Sequence, residues 1–218
     1  MDKYQKIDTL YVFDNGLKRF VTKFTNPLVE FLRDNAWLAS EKVDGINIRV
    51  HFDGYRVEWS GRTDDAQLPK EAEVLLQEVF GESEVVFEQT FGCKDVYLFM
   101  ECYGGKIQGG AYGGKERLIG FDVKVGGIYL DKRVIGEIFK KFGVKCVDFI
   151  ELSNLQAAIA CVQDAADNPE FHISPLCEKG KTVIEGLVAV PAKRLYDHMG
   201  ERIIVKIKAR DLRKTVRS

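Results

Sequence analysis

The sequence has no long apolar run and almost no excess of either charge. No stretch approaches the roughly 20 apolar residues that a membrane-spanning helix needs. Residues 1–5 lack the basic-then-apolar form of a secretory signal. The formal net charge is -1, so overall basicity offers no attraction for nucleic acid, and such a surface would have to come from local clustering. We expect no membrane partner and a cytoplasmic protein, or one made in the cytosol of a host.

The sequence is also poor in the patterns that mark disulfide frameworks, zinc sites and domain boundaries. Its five cysteines are odd in number, and none forms a C-x-x-C pair or stands at zinc-site spacing from a histidine, which favours a reduced setting. There is no repeat and no linker rich in Pro, Gly and Ser. With 218 residues, 45% hydrophobic and 30% charged, we expect one globular domain over 1–218.

Capping residues and apolar spacing predict four helices. Their boundaries and inward faces are as follows: Asn26 as N-cap and Pro27 in the first turn, to about Asp34; Pro69 to Gly81 with Val74, Leu75 and Val79 inward; Asp131 as N-cap to Gly143 with Val134, Ile135, Ile138 and Phe139 inward; and a helix after Ser153.

Runs rich in β-formers predict strands, two of them ending at tight hairpin turns, Asp53-Gly54 and Gly126-Gly127. The predicted strands are 47–52, 55–59, 96–102, 117–124, 183–190 and 202–208. Hairpins favour antiparallel sheets, so the fold class is α+β.

The segment Lys42 to Asn47 reads K-V-D-G-I-N, which places a lysine at a strand end before a turn glycine. Alone, such a string is typical of a solvated turn. Five further segments follow it in order: Ser60-Gly61-Arg62, Phe99 to Gly104, Leu118 to Val123, Glu185 to Val188, and Val205 to Lys208.

Together, these segments resemble the covalent nucleotidyltransferase superfamily, which comprises ATP-dependent DNA ligases, RNA ligases and mRNA-capping guanylyltransferases. Lys42 to Asn47 matches the motif K-x-D-G-x-N, and the resemblance covers 41–208. The last position of this motif is Asn47, which resembles the nick-sealing RNA ligases of phage and RNA-editing type. DNA ligases and capping enzymes usually carry Arg at that position. The resemblance implies a minimal adenylyltransferase domain of antiparallel sheets flanked by helices, with the ATP pocket between them.

The resemblance makes Lys42 the nucleophile. An amine is nucleophilic only when unprotonated, so neighbouring positive charge is needed to lower the pKa of such a lysine. The resemblance assigns the contacts with the α-phosphate to Lys206 and Lys208, and the metal-binding carboxylate to Glu185. Hard oxygen ligands favour Mg²⁺, with Mn²⁺ as a substitute. The alternatives are an exposed edge-strand face for the two lysines and an exposed turn acid for Glu185.

The resemblance also implies an ATP-binding set. Phe121 stacks on adenine, Val188 covers the other face, Glu101 holds the ribose hydroxyls, Arg62 and Asn47 contact ribose or phosphate, and Glu41 lies beside the adenine edge. Phe121 as a core residue and Arg62 as a plain surface arginine stay open as alternatives.

The implied activity is ATP-dependent RNA ligation in RNA repair. A lysyl-AMP forms, AMP moves to a 5′-phosphate end, and a 3′-hydroxyl displaces it; RNA is favoured over DNA as the substrate. The alternatives are a DNA ligase, a GTP-using capping enzyme, and an inactive ligase-like nucleotide-binding module.

Two departures from the family pattern concern nucleic-acid binding. Val190 stands where the motif E-G-x-V-x-K ends in lysine, and the next lysine is Lys193. We also expect no OB domain, because few residues follow Lys208. Grip on nucleic acid would then depend on a protein partner or on a basic stripe: Lys206, Lys208, Arg210, Arg213, Lys214 and Arg217. Tyr112, within Gly109 to Gly114, is predicted on a mobile loop.

Overall fold

The computed structural model describes residues 1–213 and the backbone of 215–216. The chain forms two compact units. Unit 1 comprises Met1–Tyr4 and Asp44–Val147, and unit 2 comprises Gln5–Val43 and Asp148–Ser218. The chain therefore passes between the units three times. The prediction of one adenylyltransferase domain over 1–218 stays a prediction.

Strands dominate both units, and the helices are short. In chain order the elements are β1 Asp8–Thr9, β2 Tyr11–Asp14, β3 Arg19–Phe24, α1 Pro27–Phe31, β4 Trp37–Glu41, β5 Ile46–Phe52, β6 Val57–Ser60, α2 Lys70–Phe80, α3 Glu84–Phe91, β7 Val96–Tyr103, β8 Arg117–Val125, β9 Ile128–Tyr129, α4 Ile135–Lys141, β10 Lys145–Cys146, β11 Ile150–Leu152, α5 Leu155–Asp167, β12 Gly186–Pro191, β13 Val205–Lys208, α6 Ala209–Leu212 and β14 Thr215–Val216.

Unit 2 is built on a five-stranded sheet in the order β1-β13-β12-β4-β11. All pairs are antiparallel except β1 with β13. One face packs on α5, because alternate residues of each strand are apolar and buried. These core residues are Trp37, Ala39, Leu187, Ala189, Val205 and Ile207 from the sheet, and Leu155, Ala158 and Val162 from α5. A second sheet has the order β14-β3-β2.

Unit 1 is built on a sheet in the order β10-β8-β7-β5-β6, with β9 paired to β8. Its central strand β7 is buried along almost its whole length. Aromatic side chains fill the space beside the sheet: the Phe87 ring lies 5.1 Å from Phe52 and 4.5 Å from Phe142, measured between centroids. The α+β class with mostly antiparallel sheets is thus confirmed.

Locally encoded features match the sequence predictions. Asn26 Oδ1 accepts a hydrogen bond from the Leu28 amide at 2.8 Å, which caps α1 as predicted. The helix expected after Ser153 is α5, and its N-cap Asn154 accepts from the Ala157 amide at 2.9 Å. Gly143 ends the α4 region at φ 70°. Strands β5–β6 and β8–β9 form hairpins at the predicted turns.

Other predictions were wrong in detail. Helix α1 ends at Phe31, before Asp34. Helix α2 buries Ala72, Leu76 and Phe80, which lie four residues apart on one face, whereas Val74 lies on a different face and is 50% exposed. Helix α4 begins at Ile135: Asp131 closes a turn ahead of it, and this leaves Val134 half-exposed. Helix α3 and strands β1 to β3, β10, β11 and β14 were not predicted.

Within the described residues, no helix is both long and apolar enough to cross a bilayer. The five cysteines are free thiols.

Candidate active site

Lys42 lies immediately after strand β4, as predicted for a lysine at a strand end. Its backbone N–H donates to the carbonyl of Gly186 at 2.9 Å, which extends the β4–β12 ladder by one residue. Its Nζ lies 2.5 Å from Oε2 of Glu185, and the Lys42 side chain is 25% exposed. The lysine is therefore held at the end of an interior strand and is still reachable from solvent.

Glu185 is shared by two lysines. Oε1 of Glu185 lies 3.3 Å from Nζ of Lys208, while its other carboxylate oxygen is the one that contacts Lys42. The carboxylate therefore joins the proposed nucleophile to one of the proposed phosphate ligands. The three side chains come from segments far apart in sequence, and strand pairing brings them together in unit 2.

The remaining unit 2 residues of the predicted site follow the strand register. Ser40, Val188 and Lys206 are paired directly across β4, β12 and β13, on the face opposite the core. Ser40 is buried and was not predicted. Glu41 pairs with Leu187, so alternation places it with the core-facing residues of β4. Its role at the adenine edge stays a prediction.

A further acidic residue, Asp211, belongs to this charged group and was not singled out from the sequence. Helix α6 starts where the Ala209 amide donates to the Glu185 carbonyl at 3.0 Å. Burial raises the pKa of Asp211 above its usual range and Glu185 raises it further, whereas Lys208, Arg210 and Lys206 act in the opposite direction. In the sequence, Asp211 stands among the basic residues of the stripe, and nothing there distinguishes it as a residue of the site.

In unit 1, Asn47 and Glu101 lie directly opposite each other on β5 and β7. The Oδ1 of Asn47 is buried and has no hydrogen-bond partner among the described residues. A buried acceptor without a donor is costly, and most such groups in proteins are satisfied. The strand register thus brings two predicted ribose contacts together and leaves one acceptor available to a ligand hydroxyl.

Phe121 occupies a β-bulge. Phe99 pairs with Asp122 and Met100 pairs with Gly120, so Phe121 is the extra residue on β8. Bulges turn a side chain away from the regular alternation and are frequent beside active sites. The Phe121 ring is half-buried, 5.2 Å from the Tyr4 ring at 78°.

An ion pair that the sequence did not predict fixes the backbone at this bulge. Nζ of Lys132 donates to the Phe121 carbonyl at 2.7 Å and lies 2.9 Å from Oδ2 of the fully buried Asp122. The Tyr4 hydroxyl donates to the same carboxylate oxygen at 2.8 Å. Lys132 lies in a loop and carries no local motif, so only the fold identifies it.

Arg62 follows β6 on an exposed turn. The backbone just before it is held by Arg49, which is 0% exposed. Arg49 donates through Nε to the Gly61 carbonyl and through Nη2 to the Ser60 hydroxyl, both at 2.7 Å. Arg49 was not predicted, because a buried arginine in an apolar strand has no sequence signal of its own.

The remaining predictions have mixed outcomes. Tyr112, predicted on a mobile loop, is only 1% exposed. Val190 pairs with Leu38 within β12, and Lys193 is exposed beyond the strand end. In the basic stripe, Arg213 Nε donates to the Ala166 carbonyl of α5 at 3.0 Å. Lys214 and Arg217 lie outside the residues whose side chains are described.

The donors suited to a metal ion are few. Residues 1–213 contain no cluster of three or more His, Cys, Asp or Glu side chains placed to hold a metal ion. Glu185 offers two carboxylate oxygens and is 17% exposed. This hard donor fits Mg²⁺ or Mn²⁺, with further ligands supplied by phosphate oxygens and water.

A sequence model of the family described as RNA ligase matches residues 35–208. The chain belongs to the RNA ligase family. The resemblance noted from the ordered motifs is therefore confirmed. A comparison with curated proteins finds no match.

Solved structures share the fold of this RNA ligase family member. A mutant of the Naegleria gruberi RNA ligase with ATP and Mn has a TM-score of 0.58 and 16% identity, over 93% of this chain and 59% of that one. The same ligase with PPi gives 0.60 and 18%, over 95% and 60%. An archaeal ATP-dependent RNA ligase gives 0.59 and 12%, over 94% and 48%. The chain thus spans about 60% or less of these relatives.

Proposed function

We propose that this protein is an ATP-dependent RNA ligase that forms a lysyl-AMP intermediate on Lys42. The observation that carries the proposal is the group Lys42–Glu185–Lys208, in which one carboxylate contacts both ammonium groups at 2.5 and 3.3 Å. This group unites three of the residues that the ordered motifs assign to nucleotide transfer. A solvated turn lysine would not be expected to share a carboxylate with a second lysine.

In the first step, Lys42 Nζ attacks the α-phosphate of ATP. A P–N bond forms, the bond to the bridging oxygen breaks, and pyrophosphate leaves. The attacking amine must first give up its proton, which can pass to water because the Lys42 side chain is 25% exposed. Lys206 and Lys208 lie on the same face of the sheet as Val188 and supply positive charge for the phosphate oxygens.

Glu185 is the residue that would hold Mg²⁺, or Mn²⁺ as a substitute. A bound divalent cation would neutralise triphosphate charge and so assist the departure of pyrophosphate. A Glu185 carboxylate that held the cation would no longer pair with the two lysines, which would leave Lys42 free to attack and Lys208 free to contact a phosphate oxygen.

The proposed contacts with the nucleoside follow the motif residues. Asn47 and Glu101 would hold the ribose, since their side chains are neighbours across β5 and β7 and Asn47 Oδ1 needs a donor. Phe121 would stack on adenine from its bulge, with the backbone held by Lys132. Val188 and Glu41 are proposed at the adenine, and the exposed Arg62 at ribose or phosphate.

In the later steps, AMP passes to the 5′-phosphate of a nucleic acid, and a 3′-hydroxyl displaces it to close the strand. RNA is proposed as the substrate because the chain belongs to the RNA ligase family and Asn47 ends its motif. Similar solved structures are RNA ligases with ATP and Mn or with PPi. A partner protein that adds nucleic-acid affinity is part of the proposal, as is a cytoplasmic location.

The test is to incubate the protein with α-labelled ATP and Mg²⁺, and then to follow sealing of matched RNA and DNA nicks. Covalent, acid-labile labelling is expected in the parent and absent in Lys42→Ala. Lys193→Ala, which removes an exposed lysine of the same unit, should label normally. Labelling of Lys42→Ala at the parental rate would refute the nucleophile. Labelling by GTP alone would favour a capping enzyme, and better sealing of DNA a DNA ligase.

A further inference from the structure

The loop between β7 and β8 has an unusual backbone. Six of its glycines have positive φ: Gly104, Gly105, Gly109, Gly110, Gly113 and Gly114. Gln108, at φ 48° and ψ 47°, takes the same left-handed conformation without being glycine. This conformation is unfavourable for a residue with a β-carbon. The other left-handed positions of this loop are glycines. A glutamine at such a position indicates that its side chain makes a contact that offsets the backbone strain.

The side chain of Gln108 reaches the K-x-D-G turn. Its Nε2 donates to the carbonyl of Gly45 at 3.1 Å. From the same loop, the hydroxyl of Tyr112 accepts from the backbone N–H of Asp44, also at 3.1 Å. The Tyr112 ring is held in place, because it is 1% exposed and lies edge-on to the Tyr103 ring with centroids 5.3 Å apart. Two side chains of the loop therefore hydrogen-bond to the backbone of one turn, one at the Gly45 carbonyl and the other at the Asp44 N–H.

The end of strand β7 also confines this turn. A β-carbon at Gly45 would collide with the carbonyl oxygen of Cys102 and approach Cγ of Glu101 to 2.8 Å. Gly45 is therefore pressed against the end of β7, while Gln108 and Tyr112 hold its peptide neighbours. In the chain, this turn lies between Lys42 and Asn47.

We propose that Gln108 and Tyr112 are positioning residues for lysine adenylylation: they fix the Asp44–Gly45 turn and so the path of the segment that carries Lys42. The inference rests on the proposed function. Neither residue needs to touch ATP. Placement of a nucleophile affects the rate of attack on bound substrate, since small misplacements reduce the reactive population steeply. Loss of placement should therefore lower the rate at saturating ATP and leave ATP affinity nearly unchanged.

The experiment compares three variants with a control from the same loop. Gln108→Gly removes the side chain and relieves the left-handed backbone, Gln108→Glu keeps the size but replaces the donor with an acceptor, and Tyr112→Phe removes only the hydroxyl. The control is Gly109→Asn, because Gly109 at φ 71° has open space around it and Asn tolerates that conformation. For each protein, the rate of labelling by α-labelled ATP, ATP affinity and the thermal midpoint are measured.

We expect the saturating rate to fall about tenfold in Gln108→Gly and Gln108→Glu, and about three- to tenfold in Tyr112→Phe, in line with the loss of one hydrogen bond. ATP affinity should stay within about twofold of the parent. The thermal midpoint of Gln108→Gly should stay within about 2 °C, because the lost bond is offset by relief of the backbone. Gly109→Asn should match the parent throughout.

Parental rates in Gln108→Gly and Tyr112→Phe would overturn the inference while the proposed function stands. Rate losses that follow the thermal midpoint from variant to variant would also overturn it, since they would show a merely structural role. A parent that takes no label at all would overturn the proposed function, and this inference with it.

Discussion

A β-carbon at Gly186 would collide with the carbonyl oxygen of Ile207 on the neighbouring strand. Gly186 also has φ 155°, a conformation rare for other residues. The two strands meet this closely where Glu185 precedes β12 and Lys208 ends β13. The glycine in the motif E-G therefore sets the distance between an acid and a lysine of the site.

We predict that Gly186→Ala lowers the free energy of unfolding by about 1–3 kcal/mol, because the strand must shift or take a strained conformation. Adenylylation should fall more than stability alone explains, since Glu185 moves with the strand. Urea denaturation and labelling by ATP measure the two effects. Gly200→Ala is the control: Gly200 has φ 80° but open space around it, so strain without a collision should leave labelling intact.

Glu185→Gln removes the negative charge that contacts Lys42 and Lys208. We expect adenylylation to fall on the order of 100- to 1,000-fold, because an electrostatic contact of the reaction is lost from a site that keeps its shape. Initial rates of labelling at several Mg²⁺ concentrations check this. Glu201→Gln, which neutralises an exposed acid of the same unit, should label like the parent. Equal rates in the two variants would move the metal site away from Glu185.

Stability in acid should depend on Asp64. The hydrogen bond from Arg49 at 2.8 Å holds the pKa of Asp64 below its ordinary value of 3.8. Because the folded-state pKa is lowered, this contribution to stability is present above about pH 3.8 and is lost as the pH falls through the folded-state value. We predict that Asp64→Asn is less stable than the parent at pH 7 and that the difference shrinks as the pH falls below 3.8.

Urea denaturation at pH 7, 5 and 3 tests this. Asp65→Asn, at the next position, which is also exposed, is the matched control and should show no such dependence. Since Asp64 is exposed to solvent, added salt should shrink the effect. A gap between Asp64→Asn and parent that is the same at every pH would show that the contact with Arg49 is not what lowers this pKa.

The basic stripe should divide into two kinds of residue. Arg210 is largely exposed, whereas Arg213 donates to the end of α5 at Ala166. We predict that Arg210→Ala weakens nick binding and lessens its salt slope by about one unit without loss of stability. Arg213→Ala should additionally lower the free energy of unfolding by about 1 kcal/mol, because a helix-end carbonyl loses its donor.

Salt titrations of nick binding and urea denaturation of both variants separate these roles, with self-adenylylation unchanged as the internal control. Adding Lys214 and Arg217 to the substitutions should weaken binding further. If none of these changes alters the salt slope, the nucleic-acid surface lies elsewhere or on a partner.

The features that the sequence predicted well depend on short-range chemistry. Asn26 caps α1 with its own side chain, and Gly126-Gly127 makes a turn regardless of what surrounds it. The inner face of α2 could not be predicted in this way. Val74 and Leu76 are both apolar, and only the position of the sheet decides which of them is buried.

The site shows the same division. The motifs named Lys42, Glu185 and Lys208, and the structure brings them into contact although 143 residues separate the first two. The residues that fix the backbone around the site were missed, among them Arg49 and Lys132. Their partners are backbone carbonyls and side chains whose proximity exists only in the folded chain, and carbonyls carry no residue identity.

Strand β4 carries the proposed nucleophile at its end, and its two neighbours in the sheet, β11 and β12, both come more than 100 residues later. During translation at about 5–20 residues per second, β4 therefore waits roughly 5–20 s for β11 and roughly 7–30 s for β12. Until β11 has been made, the buried Trp37 and Ala39 of β4 have no strand to pair with. A ribosome-bound chain of this protein should accordingly depend on chaperones for these seconds, and should begin to react with ATP only once synthesis has passed Lys208.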